Sequence, residues 1–168
     1  MHDETASVDA VLWLHEAVVR PEWVDYNGHM NEAYYVLIFG DATDALYDHI
    51  GLDDGARRRD NVSLYTVEAH IRYLIEAHDG EQLRIGTRVL AHDEKRLHLH
   101  HAMLRARDGE TLAVIELMAL HVDKLVVRAA PFLPEAAARI SAVARAQASL
   151  PPPLPAESRH WATRAANG

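Results

Sequence analysis

Cysteine is missing from all 168 residues of this chain. Its absence excludes disulfides, a thiolate nucleophile and cysteine-ligated zinc. Long apolar runs are missing too, and nothing approaches the roughly 18 residues that a membrane-spanning helix needs. The opening "MHDETASVDA" is acidic and carries no apolar stretch, so it does not read as a secretory signal. Nor is there an excess of positive charge. The formal net charge is −8, which argues against nucleic acid or an anionic membrane as a partner. It still leaves room for a local basic cluster that holds a small anion. The remainder is ordinary for a soluble globular protein, with 49% apolar and 25% charged residues. The length suits one domain, and a soluble cytoplasmic protein is the expectation.

Hydrophobic periodicity orders the elements. Val11 to Arg20 is β-branched and loosely alternating, a first strand that Pro21 ends by removing a donor. Asn31 to Ile50 has the marks of a long helix, with Asn31 as N-cap and Gly51 where a terminating glycine belongs. Its first half, "EAYYVLIFG", is apolar nearly all round, which predicts burial on several sides. Its second half sets Asp41, Asp44 and Asp48 on one face. Asp53 to Asn61 is expected to be a charged loop.

From Ser63 the period becomes two. Ala69, Ile71, Tyr73 and Ile75 alternate with Glu68, His70 and Arg72. Leu83 to Ala91, Leu97 to Arg105 and Thr111 to Val122 continue the pattern, separated by short turns bearing Gly or Asp. This predicts four antiparallel strands in a meander. A late helix over Pro134 to Ala148 follows. The domain is placed at residues 8–148. Residues 149–168, Pro-rich and then polar, are expected to be a disordered tail. A helix apolar on all sides can be covered by a meander only if the sheet curls around it, and any leftover apolar face must meet another subunit. The predicted class is α+β, at least dimeric.

The strand-to-helix junction "WVDYNGHMNEAYY", Trp23 to Tyr35, places Asp25, Gly28, His29 and Asn31 directly before the helix. This D-x-x-G-H-x-N pattern, in this order of elements, resembles the hotdog-fold thioesterases of the 4-hydroxybenzoyl-CoA thioesterase type over about Val11 to Arg128. More narrowly, "DYNGHMNEAYY", "DATDALYDHIGLD", "SLYTVEAHIRYL" and "HDEKRLHLHH" are similar to the thioesterases of carnitine catabolism. Those are thought to release betaine from betainyl-CoA, and some are fused to a carnitine dehydrogenase. With no dinucleotide-binding segment, this chain would be the stand-alone form. The resemblance implies an antiparallel sheet of about five strands around a long central helix. It also implies an acyl-CoA substrate, no cofactor, and a homodimer or homotetramer with sites at the subunit interface.

Hydrolysing a thioester takes a nucleophile or activated water, and donors for the charge that develops on the carbonyl oxygen. The resemblance puts Asp25 at the catalytic carboxylate position, as nucleophile or general base; its structural alternative is an Asx turn. Free N–H groups near Asn31 to Ala33, with the helix dipole behind them, can polarise a carbonyl. The resemblance sets that donor at about Glu32, and Gly28 would allow close approach. Asn31 is an N-cap or a group that orients water or substrate. His29 is a proton carrier or a structural hydrogen-bonding group.

For the CoA phosphates, Lys95 and Arg96 sit in a tight turn where the family often grips the nucleotide, with Arg128 and Arg57 to Arg59 as further candidates; each is otherwise solvated surface. For a trimethylammonium acyl group, Trp23, Tyr26, Tyr34, Tyr65 and Tyr73 offer aromatic faces, against plain core packing. Asp41, Asp44 and Asp48 are the second location for the acid, though facing solvent or a subunit boundary is the simpler account. The chain has twelve histidines. His98 and His100, with His101 opposite and His70 or Glu68 nearby, invite a metal site; solvent-facing alternation is preferred, and no metal is expected. Two other functions compete: a hotdog-fold enoyl-thioester hydratase, and a non-catalytic acyl-CoA-binding protein.

Overall fold

The computed structural model describes residues 10–156. Its centre is α1, Glu32–His49. Asn31 caps the helix: its backbone is extended and its side-chain oxygen accepts the Ala33 N–H at 3.0 Å. Gly51, with φ +84°, follows the other end, in the left-handed conformation that favours glycine. Tyr35, Ile38, Phe39, Ala42, Thr43, Leu46 and Tyr47 make the buried face. That face is less complete than the apolar sequence predicts, because Val36 and Leu37 stay half exposed.

Five strands curl around α1: β1 Leu12–Val18, β2 Val62–Tyr73, β3 Gln82–His92, β4 Arg96–Arg105 and β5 Thr111–Asp123. The order is β1-β3-β4-β5-β2, antiparallel throughout, with the short β6, Arg128–Ala129, beside β5. Register breaks fall at Leu12/His15, Thr66/Glu68 and Val89/Ala91. Such irregularities bend and twist a strand, and here they close the sheet around the helix. At the break in β3, Gln147 of helix α3 (Pro134–Gln147) accepts the Val89 N–H at 2.8 Å and donates to Ala10 and Thr87 carbonyls.

The expected meander is thus only partly formed. β3, β4 and β5 are consecutive neighbours, but β2 lies at the far edge, beside β5. Alternation reveals which face a residue takes and not which strand it meets. The link from β2 to β3 must therefore cross the sheet. It does so over the start of α1, where the Met30 N–H donates to Ala77 O at 2.8 Å, the Val19 N–H donates to Glu81 O and Val19 O accepts the Gly80 N–H of the same connection.

Asp53 to Asn61 is not a loop but contains a two-turn helix, α2 (Asp54–Asp60). Asp53 caps it through the Ala56 N–H, Arg58 pairs with Asp54 one turn back, and Asn61 ends it in a left-handed conformation. With Ala56 as its one buried residue, α2 has no apolar period to betray it. The Pro-rich segment follows α3. Its stretch up to Ala156 lies along the outer face of the sheet, where Arg88 and Arg72 donate to Pro151 O and Pro155 O, each at 2.7 Å. His100 donates to Leu154 O at 2.8 Å, and the Ala156 N–H reaches Glu116. A proline-rich strand offers carbonyls and few N–H groups, and this face supplies the donors. The remainder of the expected tail lies outside the described residues. No helix among the described residues is long and apolar enough to cross a membrane.

Two apolar clusters fill the interior. One gathers Tyr35, Ile38, Phe39 and Ala42 of the first half of α1 with Ile85 and Met103. The other gathers Leu46, Tyr47 and Ile50 with Val89, Leu97 and Leu99. His101 sits between them, fully buried. Its Nε2 is 2.9 Å from Thr43 Oγ1 and its Nδ1 is 2.8 Å from Thr87 Oγ1. Thr43 donates its hydroxyl hydrogen to Phe39 O, so it accepts from Nε2–H, and Thr87 donates to Nδ1. A neutral imidazole thereby ties helix, β3 and β4 together.

Burial holds that imidazole down at a pKa of about 3, against an ordinary 6.5. Between these values the unfolded chain binds the extra proton, so stability falls as the pH drops from about 6.5 toward 3. The loss is up to about 1.4 kcal/mol per pH unit. Urea unfolding at pH 5 and pH 7 should find His101→Gln less stable than the parent at pH 7, yet losing less on acidification. Equal losses would assign the acid sensitivity to other groups.

Candidate active site

The junction that precedes α1 is a tight loop. Val24 and Met30 bridge, the Asp25 N–H donates to His29 O, and the Gly28 N–H donates back to Asp25 O. Gly28 has φ +82° with no atom within 4 Å of where a Cβ would stand. Its requirement is therefore the backbone conformation and not the space around it.

Within this loop the Asp25 carboxylate is held at both oxygens. Oδ1 accepts the Asn27 N–H at 2.8 Å, which is an Asx turn. Oδ2 accepts Asn31 Nδ2–H at 3.1 Å. The Asn31 oxygen is meanwhile engaged by the Ala33 N–H, so the amide cannot rotate without breaking one end. Asn31 is thus both the helix cap and the group that holds Asp25. The turn-forming and the catalytic accounts of Asp25 do not compete in this geometry. In the first turn, the Ala33 N–H goes to the cap side chain and the Tyr34 N–H to Asn31 O. The Glu32 N–H has no protein acceptor among the described residues, as expected for an N-terminal donor.

Asp25, Asn27, His29 and Glu32 line a cleft of about 280 Å³. Its other wall is the β2–β3 connection, Leu74, Ile75 and Glu76, with Tyr73, and its floor is Met30 and Tyr35. Tyr35 reaches across it: its hydroxyl accepts the Ala77 N–H at 3.0 Å and lies 3.5 Å from Ile75 O. Tyr73 packs edge-on against Tyr35, ring centres 5.2 Å apart, and its hydroxyl contacts Glu32 O. Burial pushes both phenols upward in pKa, so both are protonated donors at neutral pH. Arg105, nearly buried, pins the connection from beneath through Glu81 at 3.0 Å and Glu76 O at 3.4 Å.

The other sequence candidates lie apart from this cleft. Trp23 stacks on Tyr34 at 5.2 Å under Arg20 and lines a larger groove between β1 and α1. Tyr26 is 96% exposed at the loop tip, and Tyr65 is exposed on β2. Asp41, Asp44 and Asp48 are exposed along α1, Asp41 near His15 at 4.0 Å. Lys95 and Arg96 occupy the β3–β4 turn, and Arg128 lies on β6. Both places are at the opposite end of α1, which at 18 residues is about 27 Å long. Arg96 is already paired with Asp93 at 2.6 Å, a contact that holds the Asp93 carboxyl near pKa 2. His70 pairs with Glu68 and His98 with Glu116. Among the described residues no group of three His, Asp or Glu converges on a metal-sized site.

Sequence reasoning missed Tyr35, Glu76 and Arg105. The helical spacing of Tyr35 with Ile38, Phe39 and Ala42 marks it as inward-facing. Glu76 and Arg105 carry no such signal, because their place depends on how β2 connects to β3.

A curled antiparallel sheet wrapped around one long helix defines the hotdog class. The sequence pattern of the thioesterase-like superfamily matches residues 19–140. A betainyl-CoA thioesterase of Pseudomonas aeruginosa is 48% identical over 143 residues, 85% of this chain and 90% of that protein. An L-carnitine dehydrogenase/betainyl-CoA thioesterase of Agrobacterium fabrum is 56% identical over 115 residues, which are 68% of this chain but 23% of that longer protein. A Staphylococcus aureus protein solved in complex with CoA matches with a TM-score of 0.79 at 28% identity, over 85% of this chain and 90% of the other. The chain belongs to the thioesterase-like superfamily. It is a thioester hydrolase with the hotdog fold.

Asn31→Asp separates the two duties of this residue. The aspartate keeps the cap, so thermal stability should change by less than the roughly 1 kcal/mol that an alanine there would cost. It loses the donor to Asp25 and sets a second carboxylate beside it. Thioester turnover should fall by about one to two powers of ten, and its acidic limb should move to higher pH. An unchanged pH profile would remove Asn31 from any part in positioning Asp25.

Proposed function

We propose that this protein hydrolyses a small acyl-CoA, with betainyl-CoA as the preferred substrate, to the free acid and CoA. The carrying observation is that the Asp25 carboxylate and the first turn of α1 line one cleft, linked by the Asn31 side chain. The thioester carbonyl oxygen points at the Glu32 N–H, where the unpartnered first-turn donor and the helix dipole meet the charge that develops in the transition state. Asp25 attacks the carbonyl carbon, or takes the proton of a water that does. Collapse of the tetrahedral intermediate breaks the C–S bond, and CoA leaves as the thiolate that then takes up a proton. If Asp25 attacks, a second addition, of water, cleaves the resulting anhydride and restores the carboxylate.

The CoA phosphates are assigned to Lys95, Arg96 and Arg128. Their distance from Asp25 along α1 means that they serve a thioester at that cleft from a neighbouring subunit, in a homodimer or homotetramer. Half-exposed Val36 and Leu37 on α1 and Tyr65 and Val67 at the free edge of β2 support an assembly that covers them. The betainyl group is supported by the relatives' activity and by the cleft's small volume, below the range usual for drug-sized ligands.

Asp25→Asn should retain the fold and lose about three powers of ten or more in kcat. Near-normal turnover would overturn its assignment. A single turnover in ¹⁸O-water tests the nucleophilic role: label in the Asp25 carboxylate identifies an anhydride opened at that carboxyl, and label confined to the product acid puts the attack of water at the acyl carbon.

A further inference from the structure

We propose that Glu76, on the β2–β3 connection, together with the Glu32 side chain and the rings of Tyr35 and Tyr73, selects acyl groups that carry a fixed positive charge. The inference rests on the cleft being the acyl site. The cleft is lined by three carboxylates, Asp25, Glu32 and Glu76, together with His29 and the phenols of Tyr35 and Tyr73, and by no lysine or arginine. Among the described residues none of the three carboxylates has an ion-pair partner within 4.0 Å, whereas the carboxylates Glu81 and Asp108, outside the cleft, each pair with Arg105. Such a lining repels the phosphates of CoA, so the nucleotide end lies elsewhere and the acyl end enters here.

A quaternary ammonium has no hydrogen to donate and no proton to lose. It is recognised only by charge and by the faces of aromatic rings. Both are present. The Tyr35 hydroxyl is occupied by the backbone of Ala77, and the Tyr73 hydroxyl is turned to Glu32 O, so each tyrosine offers its ring more than its polar end. Glu76 and Glu32 lie close enough to these rings that their charges reinforce the effect of burial on the Tyr35 and Tyr73 phenols respectively. The main chain on either side of Glu76 is fixed, by Arg105 at Glu76 O and by Tyr35 at the Ala77 N–H. The carboxylate is therefore carried on a held backbone. Asp25 handles the carbonyl, one methylene from the cation in a betainyl thioester, and Glu76 and the rings handle the cation.

The test compares betainyl-CoA with 3,3-dimethylbutanoyl-CoA, in which carbon replaces the charged nitrogen at the same shape. The parent enzyme should favour the cation in kcat/KM by about a hundredfold, and Glu76→Gln should shrink that ratio about tenfold, chiefly through KM for the cation. Glu76→Asp should restore part of it. The ratio is insensitive to loss of folded protein, which lowers both numbers together. If the parent cleaves both thioesters equally, or if Glu76→Gln leaves the ratio unchanged, the selection by Glu76 is wrong while the thioesterase reading stands. If the parent cleaves neither, the reading of the cleft itself fails.

Discussion

The need to bury α1 governs the rest of the molecule. The broad buried face of α1, which runs from Tyr35 to Tyr47, is covered by a sheet that bends around it, and the register breaks in β1, β2 and β3 supply the bend. Wrapping has a topological consequence. β2 ends beside β5, on the far side from β3, and the connection between β2 and β3 has to pass over the helix start. That passage makes the cleft. The wall that carries Glu76 follows from the packing of the helix.

The same economy appears inside. The polar contact of His101 with two threonines lies where the two apolar clusters meet, and every hydrogen has one acceptor. Apolar contacts alone would tolerate sliding of α1 along the sheet; a buried imidazole with two defined partners does not, because any displacement leaves polar groups unsatisfied in a dry interior. The register of the helix against β3 and β4 sets where Asn31 and Glu32 face the loop that carries Asp25.

Local chemistry is what the amino-acid sequence states most clearly. Asn31 and Gly51 bracket α1 because caps depend on neighbours a few residues away, and the alternation of β3 to β5 shows which side of each strand faces inward. The D-x-x-G-H-x-N junction is legible as a candidate site for the same reason, being one short loop. Strand partners, and therefore Glu76, Arg105 and the separation of Arg96 from Asp25, follow from long-range order that no local period encodes. α2 is hidden by having a single buried residue. The docking of the proline-rich segment leaves no mark in its composition, which says only that it cannot build a core; up to Ala156 it lies on a finished surface.

That docking surface is a row drawn across strands. Arg88 lies opposite His100 and His100 opposite Glu116, while Arg72 belongs to β2 on the far side of β5. The extended segment touches all four. A slip of one residue in any pairing would turn one of these side chains to the opposite face and remove a rung. The segment can therefore settle only on a sheet whose strands are already correctly aligned, and it favours that alignment over its neighbours. Its contacts add stability to the sheet only in that alignment.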